Sequence, residues 1–181
     1  MQSAKFALIA PFTVRQERAS EIREIHEFVR KAFASAHYAE GDEQDFVYKQ
    51  RNEALYLPEL TLVLEDSGRL IAHVMLTQTA ICTAIGLNPI LLLACVAVAT
   101  EYRNRGVGTA FIEVALQRAF NLGHAAVILV GDPTYYRRLG FVPSSEFGIT
   151  NKNGIEPHHV QVRELVPGAL RGASGSILLP S

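Results

Sequence analysis

Two short stretches of this sequence hold residue types at spacings suited to chemistry. The first is Arg103-Asn104-Arg105-Gly106-Val107-Gly108. It follows the apolar run of residues 90–99 and precedes an amphipathic segment, so it reads as the turn from a strand into a helix. Glycines on either side of Val107 let backbone N–H groups face a ligand with no Cβ in the way. Those amides open a helix, where aligned peptide dipoles sum to about half a positive charge. With the cations of Arg103 and Arg105 beside them, the turn suits a pyrophosphate. The second stretch is Tyr136-Arg137-Arg138-Leu139-Gly140-Phe141, a few residues past another apolar run. It carries the phenol of Tyr136, with a reference pKa of about 10, ahead of a glycine and an aromatic residue. For a base the candidates are His37, Asp42, Glu43 and His73, and the residues alone assign none of them.

Several other chemistries are excluded. Phe111 stands where a third dinucleotide-binding glycine belongs, and Thr109-Ala110 stands where a P-loop needs Lys-Ser/Thr. His158 and His159, read as neighbours on a strand, point to opposite faces and do not chelate one ion. No His, Cys and Asp residues show metal-ligand spacing, so no metal is expected. Cys95 sits in an apolar strand setting, where the thiol is hard to ionise and is no nucleophile.

The elements that must position these residues follow from periodicity. A strand is expected over residues 6–15, with Pro11 at an edge or bend. Ser20 caps a helix over residues 20–34, with Glu21 in its first turn and Ile22, Ile25, Val29 and Phe33 as its apolar stripe. A more polar helix begins near Asp42. Strands over 61–65 and 70–79 flank the hairpin turn Asp66-Ser67-Gly68, and residues 81–85 extend the second. Gly86-Leu87-Asn88-Pro89 turns the chain into a central strand, 91–98, apolar enough to be covered on both faces. The helix after Gly108 runs to about Leu122, with Phe111, Val114, Ala115 and Leu122 inward and Gly123 as its C-terminal glycine. A short buried strand follows over 125–130. Asp132 then caps a helix with Pro133 at its first position, and Gly140 ends it. A last strand covers 159–165, and the tail from 167 to 181 is loosely patterned.

Composition sets the broad class. At 181 residues with 49% hydrophobic and 19% charged, the chain buries a real core and is not disordered. A net charge of −1 excludes nucleic-acid binding through bulk charge. The longest apolar run has ten residues, half of the roughly 20 that a membrane helix needs. No signal peptide opens the sequence, and the two cysteines are too few for a disulfide framework. The expectation is one cytoplasmic domain over residues 1–181, with no membrane and no nucleic-acid partner.

The residues 98–108, Val-Ala-Thr-Glu-Tyr-Arg-Asn-Arg-Gly-Val-Gly, resemble the acetyl-CoA motif Arg/Gln-x-x-Gly-x-Gly/Ala of the GNAT N-acetyltransferases. Tyr136 to Phe141 resembles the same family's Tyr-x-x-x-Gly-Phe, at fitting separation. Gly131-Asp132-Pro133-x-Tyr135-Tyr136 and the tail Glu164-Leu165-Val166-Pro167-Gly168-Ala169-Leu170 are similar to a bacterial branch of predicted N-acetyltransferases. Thr100 and Asp132 stand where the family often has proline and asparagine. The resemblance implies an α/β (or α+β) fold, with a mixed, twisted sheet of six or seven strands, helices on both faces and a splayed central strand pair. It implies acetyl-CoA as co-substrate and direct acetyl transfer to a primary amine, of a small molecule or a peptide. The backbone of Cys95, Val96, Ala97 and Val98 would pair with the pantetheine arm, and the Val96 N–H would stabilise the oxyanion. Arg103, Asn104, Arg105, Gly106, Val107, Gly108 and Thr109 would hold the pyrophosphate, with Asp132 and Tyr135 as further cofactor contacts. Tyr136 would be the general acid. The alternatives are a non-catalytic acyl-CoA-binding or sensor module, and a protein lysine or N-terminal acetyltransferase. The acceptor, the acyl-chain length and a homodimer through the C-terminal strands stay open.

Overall fold

The computed structural model describes residues 12–34 and 41–180. Residues 6–11 of the expected opening strand and His37 lie outside them. The order is β1 (Phe12–Gln16), α1 (Ile22–Phe33), α2 (Glu43–Gln50), β2 (Tyr56–Asp66), β3 (Arg69–Thr83), β4 (Gly86–Val98), α3 (Val107–Asn121), β5 (Ala126–Val130), α4 (Pro133–Tyr136), β6 (Val142–Pro143), β7 (Ile149–Asn151), β8 (Val160–Glu164) and β9 (Gly175–Ile177). The strands form one mixed, mostly antiparallel sheet in the order β1-β2-β3-β4-β5-β8-β6, with β9 paired to β3 and β7. The α/β class stands, and the sheet counts nine strands among the described residues. The additions over six or seven are strands of two or three residues, too short for any alternation to reveal.

Two compact units share β3 and β4. The first holds the described residues up to Met75 together with Cys95–Arg118. Here β1 runs antiparallel to β2 from Phe12↔Asp66 to Gln16↔Leu62, and the Glu17 N–H adds one more rung on the Thr61 carbonyl at 3.0 Å. The α1 stripe buries Ile25, Val29 and Ala32. That helix starts at Ile22 rather than at a Ser20 cap, because residues Ala19–Glu21 form a 3-10 turn. There the Glu21 carboxylate accepts from the Arg18 amide at 2.8 Å. At the β2–β3 turn Ser67 and Gly68 both take positive φ, 51° and 82°, as a two-residue hairpin of the favoured hand requires.

The second unit holds Leu76–Ala94 and the residues from Ala119 onward. Its core joins Ile81, Ile90, Leu92, Ile128, Val160 and Val162. The strand β4 lies parallel to β5 at Leu91↔Val127 and Leu92↔Ile128, and β8 lies antiparallel to β5 from Ala126↔Glu164 to Val130↔Val160. Three expectations are corrected here. The turn before β4 falls at Ala84-Ile85, and Gly86-Leu87-Asn88-Pro89 are already strand. The Thr83 hydroxyl closes that turn by donating to the Gly86 carbonyl at 2.8 Å. Leu122 is 49% exposed, because α3 stops at Asn121 and the inner face is carried by Phe111, Ile112, Ala115, Leu116 and Ala119. The tail contributes β9, and a Cβ placed on Gly175 would lie 2.2 Å from the Cys82 carbonyl oxygen.

That contact is with backbone, which cannot swing aside as a side chain can. Gly175→Ala is therefore expected to destabilise the protein by about 1–3 kcal/mol, read as a lowered urea midpoint. An unchanged midpoint would mean that β9 is not docked on β3.

Candidate active site

In the first unit, β4 ends at Val98 and the chain passes through a 3-10 turn, Thr100–Tyr102, before α3. Asn104 and Gly106 take left-handed φ, 57° and 79°, and a Cβ on Gly106 would meet open space. Gly106 is thus needed for its backbone conformation. Gly108 already lies within α3. The first bond of this helix is the Ala110 N–H to the Gly106 carbonyl, 3.0 Å. The amides of Val107, Gly108 and Thr109 precede it and form the donor end of the helix. Arg103 does not reach out from the turn: its Nε donates to the Val98 carbonyl at 3.0 Å and its Nη2 to the Ala32 carbonyl. Arg105 and Asn104 are exposed. Along β4, Cys95 and Ala97 are buried while Val96 and Val98 are half-buried, so one side of the strand's end is covered less than the other. Burial pushes the Cys95 thiol up to about 12, which leaves it protonated and poorly nucleophilic.

A polar cluster lies in the same unit. The Glu17 carboxylate, 5% exposed, accepts from Arg51 Nε at 2.7 Å and Nη2 at 2.8 Å. The Tyr56 hydroxyl donates to it at 3.0 Å, and His73 Nε2 lies 3.1 Å away. Burial by itself would raise the Glu17 pKa, but the hydrogen bonds from Arg51 and His73 outweigh it and hold the carboxyl at about 2. Burial, followed by the charge of Glu17, pushes the Tyr56 phenol up to about 12. His73 is fully buried, and burial lowers its pKa against the pull of Glu17. Its Nδ1 is buried and has no hydrogen-bond partner among the described residues, a state that ordinarily costs about 1–3 kcal/mol. Of the other candidate bases, Asp42 is exposed at the start of α2, and Glu43 accepts from the Gly41 amide at 3.1 Å. Glu17, Arg51 and Tyr56 carry no sequence signal, because isolated charges in polar stretches read as surface.

In the second unit, Asp132 caps α4, its carboxylate accepting from the Thr134 amide at 2.8 Å and hydroxyl at 2.6 Å. Those two bonds lower its pKa. Tyr136 packs edge-on against Phe141, with ring centroids 5.8 Å apart, and against Tyr135 at 4.9 Å. Tyr135 also lies under the Arg138 guanidinium. A Cβ on Gly131 would sit 2.4 Å from the Tyr136 ring, so a glycine there gives the ring its place. Gly131 is itself pinned: its N–H donates to the His159 carbonyl at 3.0 Å and its carbonyl accepts from Gln161 Nε2 at 3.1 Å. His158 and His159 belong to a 3-10 turn, not a strand, and their rings lie 4.1 Å apart. The argument from opposite strand faces therefore does not apply to them. Among the described residues no three His, Cys, Asp or Glu side chains gather as metal ligands, and no helix is long and apolar enough to cross a membrane.

Residues 13–143 match the family of acetyltransferase (GNAT) domains. The chain belongs to the GNAT acetyltransferase family. It is thus an N-acetyltransferase by class, as the paired motifs implied. One GNAT relative is the uncharacterised N-acetyltransferase YjhQ of Escherichia coli K12, 27% identical over 132 residues, which are 73% of this chain and 70% of that protein. The crystal structure of YhbS, a GNAT N-acetyltransferase from Escherichia coli in complex with CoA, superposes with a TM-score of 0.80 at 24% identity. The match covers 93% of this chain and 89% of that one. A GNAT acetyltransferase from Brucella melitensis in complex with acetyl-CoA gives a TM-score of 0.70 at 24% identity, over 86% of this chain and 89% of that one.

The Glu17 cluster has a consequence for stability. Because Glu17 titrates lower in the folded chain than its ordinary 4.5, its contribution is complete above that value and is lost as pH falls toward about 2. The shift corresponds to roughly 3 kcal/mol at neutral pH. Urea unfolding of the wild type should show this loss between about pH 5 and pH 2. Glu17→Gln should flatten the slope in that window. It should also cost about 3–5 kcal/mol at pH 7, where Arg51 is left buried without its partner.

Proposed function

We propose that this GNAT protein transfers the acetyl group of acetyl-CoA directly to a primary amine. The observation that carries the reading is the donor end of α3, where Gly106 in the left-handed region leaves the amides of Val107, Gly108 and Thr109 ahead of the helix's first bond. In this reading those amides, with Arg105 and Asn104 beside them, hold the pyrophosphate, while Arg103 holds the turn in shape. The backbone of Cys95, Val96, Ala97 and Val98 pairs with the pantetheine arm as an added strand would. The half-buried state of Val96 and Val98 supports this. The Val96 N–H polarises the thioester carbonyl and stabilises the tetrahedral oxyanion.

The amine nitrogen attacks the acetyl carbon, the C–S bond breaks, and the CoA thiolate takes a proton from Tyr136. The packing of Tyr136 against Gly131 and Phe141 gives the phenol one defined position. Asp132 and Tyr135 keep that corner in shape, Asp132 as the cap of α4. The protonated state of Cys95 supports direct transfer over an acyl-cysteine route. The free thiols of Cys82 and Cys95 support a reducing, cytoplasmic setting. The acceptor is a small-molecule or peptide amine.

Calorimetric titration with acetyl-CoA tests the donor half. The wild type should bind, and Gly106→Trp should weaken binding at least tenfold, since an L-residue at φ 79° is strained and its side chain would occupy the space before the amides. Tyr136→Phe tests the chemical half. It should keep acetyl-CoA binding and lower kcat for amine acetylation by about 10²–10⁴-fold. Retained binding with no turnover on any amine would leave an acyl-CoA-binding module. Turnover on peptides alone would make the protein a protein acetyltransferase.

A further inference from the structure

The cluster around Glu17 has the construction of a prepared base. An ionised carboxylate offers only acceptor sites, and Glu17, held at about 2, is ionised at neutral pH. The ring nitrogen that faces it 3.1 Å away, His73 Nε2, therefore carries the hydrogen. A neutral imidazole has one N–H, so Nδ1 is left as a bare lone pair. Among the described residues that atom is buried and has no hydrogen-bond partner. Arg51, just past the end of α2, and the Tyr56 hydroxyl from β2 bind the Glu17 carboxylate. Glu43, Glu17 and Arg51 act electrostatically on the buried Cys95 thiol of β4, so the cluster adjoins the strand segment that the proposed function gives to the thioester arm. The Arg51 charge offsets that of Glu17, which keeps the neighbourhood near neutral. Burial keeps His73 in its neutral, proton-accepting form. A carboxylate that fixes one ring nitrogen, with the other free to take a proton, is the arrangement that makes histidine a general base in acyl transfer.

We propose that Glu17 and His73 are the proton-accepting pair for the acceptor amine, with His73 Nδ1 as the base, directly or through one bridging water, and Glu17 as the positioning residue. The inference deepens the transfer reading above and rests on it. The step balances as follows. The ammonium R–NH3+ gives one proton to Nδ1, leaving R–NH2 and an imidazolium beside the Glu17 carboxylate. The nitrogen lone pair then forms the C–N bond as the C–S bond breaks, and Tyr136 protonates the thiolate. The second hydrogen lost by nitrogen restores Tyr136, and the imidazolium later returns its proton to water. Arg51 and Tyr56 hold Glu17 in place and move no proton.

The test is His73→Gln, whose amide N–H can keep the hydrogen bond to Glu17 but which has no titrating nitrogen. Wild type and variant are compared with acetyl-CoA and a set of primary amines comprising ethanolamine, spermidine and lysine ethyl ester, across pH 5 to 9. The variant should bind acetyl-CoA within about threefold of wild type, lose about 100-fold or more in kcat, and lack the acid limb that the wild type shows in kcat/KM. A variant within about threefold of wild-type kcat with the same acid limb overturns the proposal while leaving the transfer reading intact. A wild type that acetylates neither these amines nor a panel of peptides bearing lysine and free N-terminal amines overturns the transfer reading, and the role of this pair with it. Ring ¹⁵N spectra of the wild type give a check that does not depend on how the variant folds. At pH 7 they should show His73 protonated at Nε2 and bare at Nδ1, and the opposite tautomer overturns the assignment.

Discussion

The guanidinium of Arg103 is the tie on which the proposed donor site depends. It donates to the carbonyl of Val98, the last residue of β4, and to that of Ala32 near the end of α1. Helix C-termini and strand ends both leave carbonyls that need donors, and one planar fork supplies several at once. The path from β4 to α3 is thereby held where Gly106 can turn left-handed. The helix then begins with its first amides ahead of any internal bond. Arg103, which the family resemblance assigns to the cofactor, makes these backbone contacts in the structure, and the peptide dipoles of the helix start add positive character to the turn.

The polar residues of the second unit are used differently. Asp132 spends its carboxylate on the cap of α4, and Gly131 is held by Gln161 of β8 and by His159 in the turn before it, so that the Tyr136 ring can lie against it. The result is a phenol whose ring packs on Phe141 and against the side of Gly131 that bears no Cβ. The Glu17 cluster is the opposite case. Its carboxylate is satisfied on every side by Arg51, Tyr56 and His73, and the incompleteness sits one atom further on, at His73 Nδ1. Fully satisfied buried networks are rigid, and here rigidity delivers one unsatisfied lone pair in a fixed place.

The fold and the turn from β4 into α3 are legible where local chemistry repeats or where few residue types will serve. The stripe of α1, the Ser67-Gly68 hairpin, the apolar runs of β4 and β5, the Asp132-Pro133 start and the Gly140 stop all have period or turn chemistry that survives in one dimension. Leu122 fits the helical period but is exposed, because the period continues past the residue at which α3 ends. Asn88-Pro89 reads as a turn because proline is rare within strands, but here it stands in the exposed first part of β4. Short strands such as β6 and β9 depend on partners far along the chain, and no window of residues contains them. The Glu17 cluster was hidden for a related reason. Its members come from the ends of β1 and α2 and from β2 and β3, and only the fold turns four ordinary polar residues into one buried group.

The most direct measurement is a crystal structure of the protein with acetyl-CoA bound. The account requires pyrophosphate oxygens within about 3 Å of the amide nitrogens of Val107, Gly108 and Thr109, with Arg103 still on the carbonyls of Val98 and Ala32. A complex in which the pyrophosphate lies elsewhere, and these amides face only water, would contradict it.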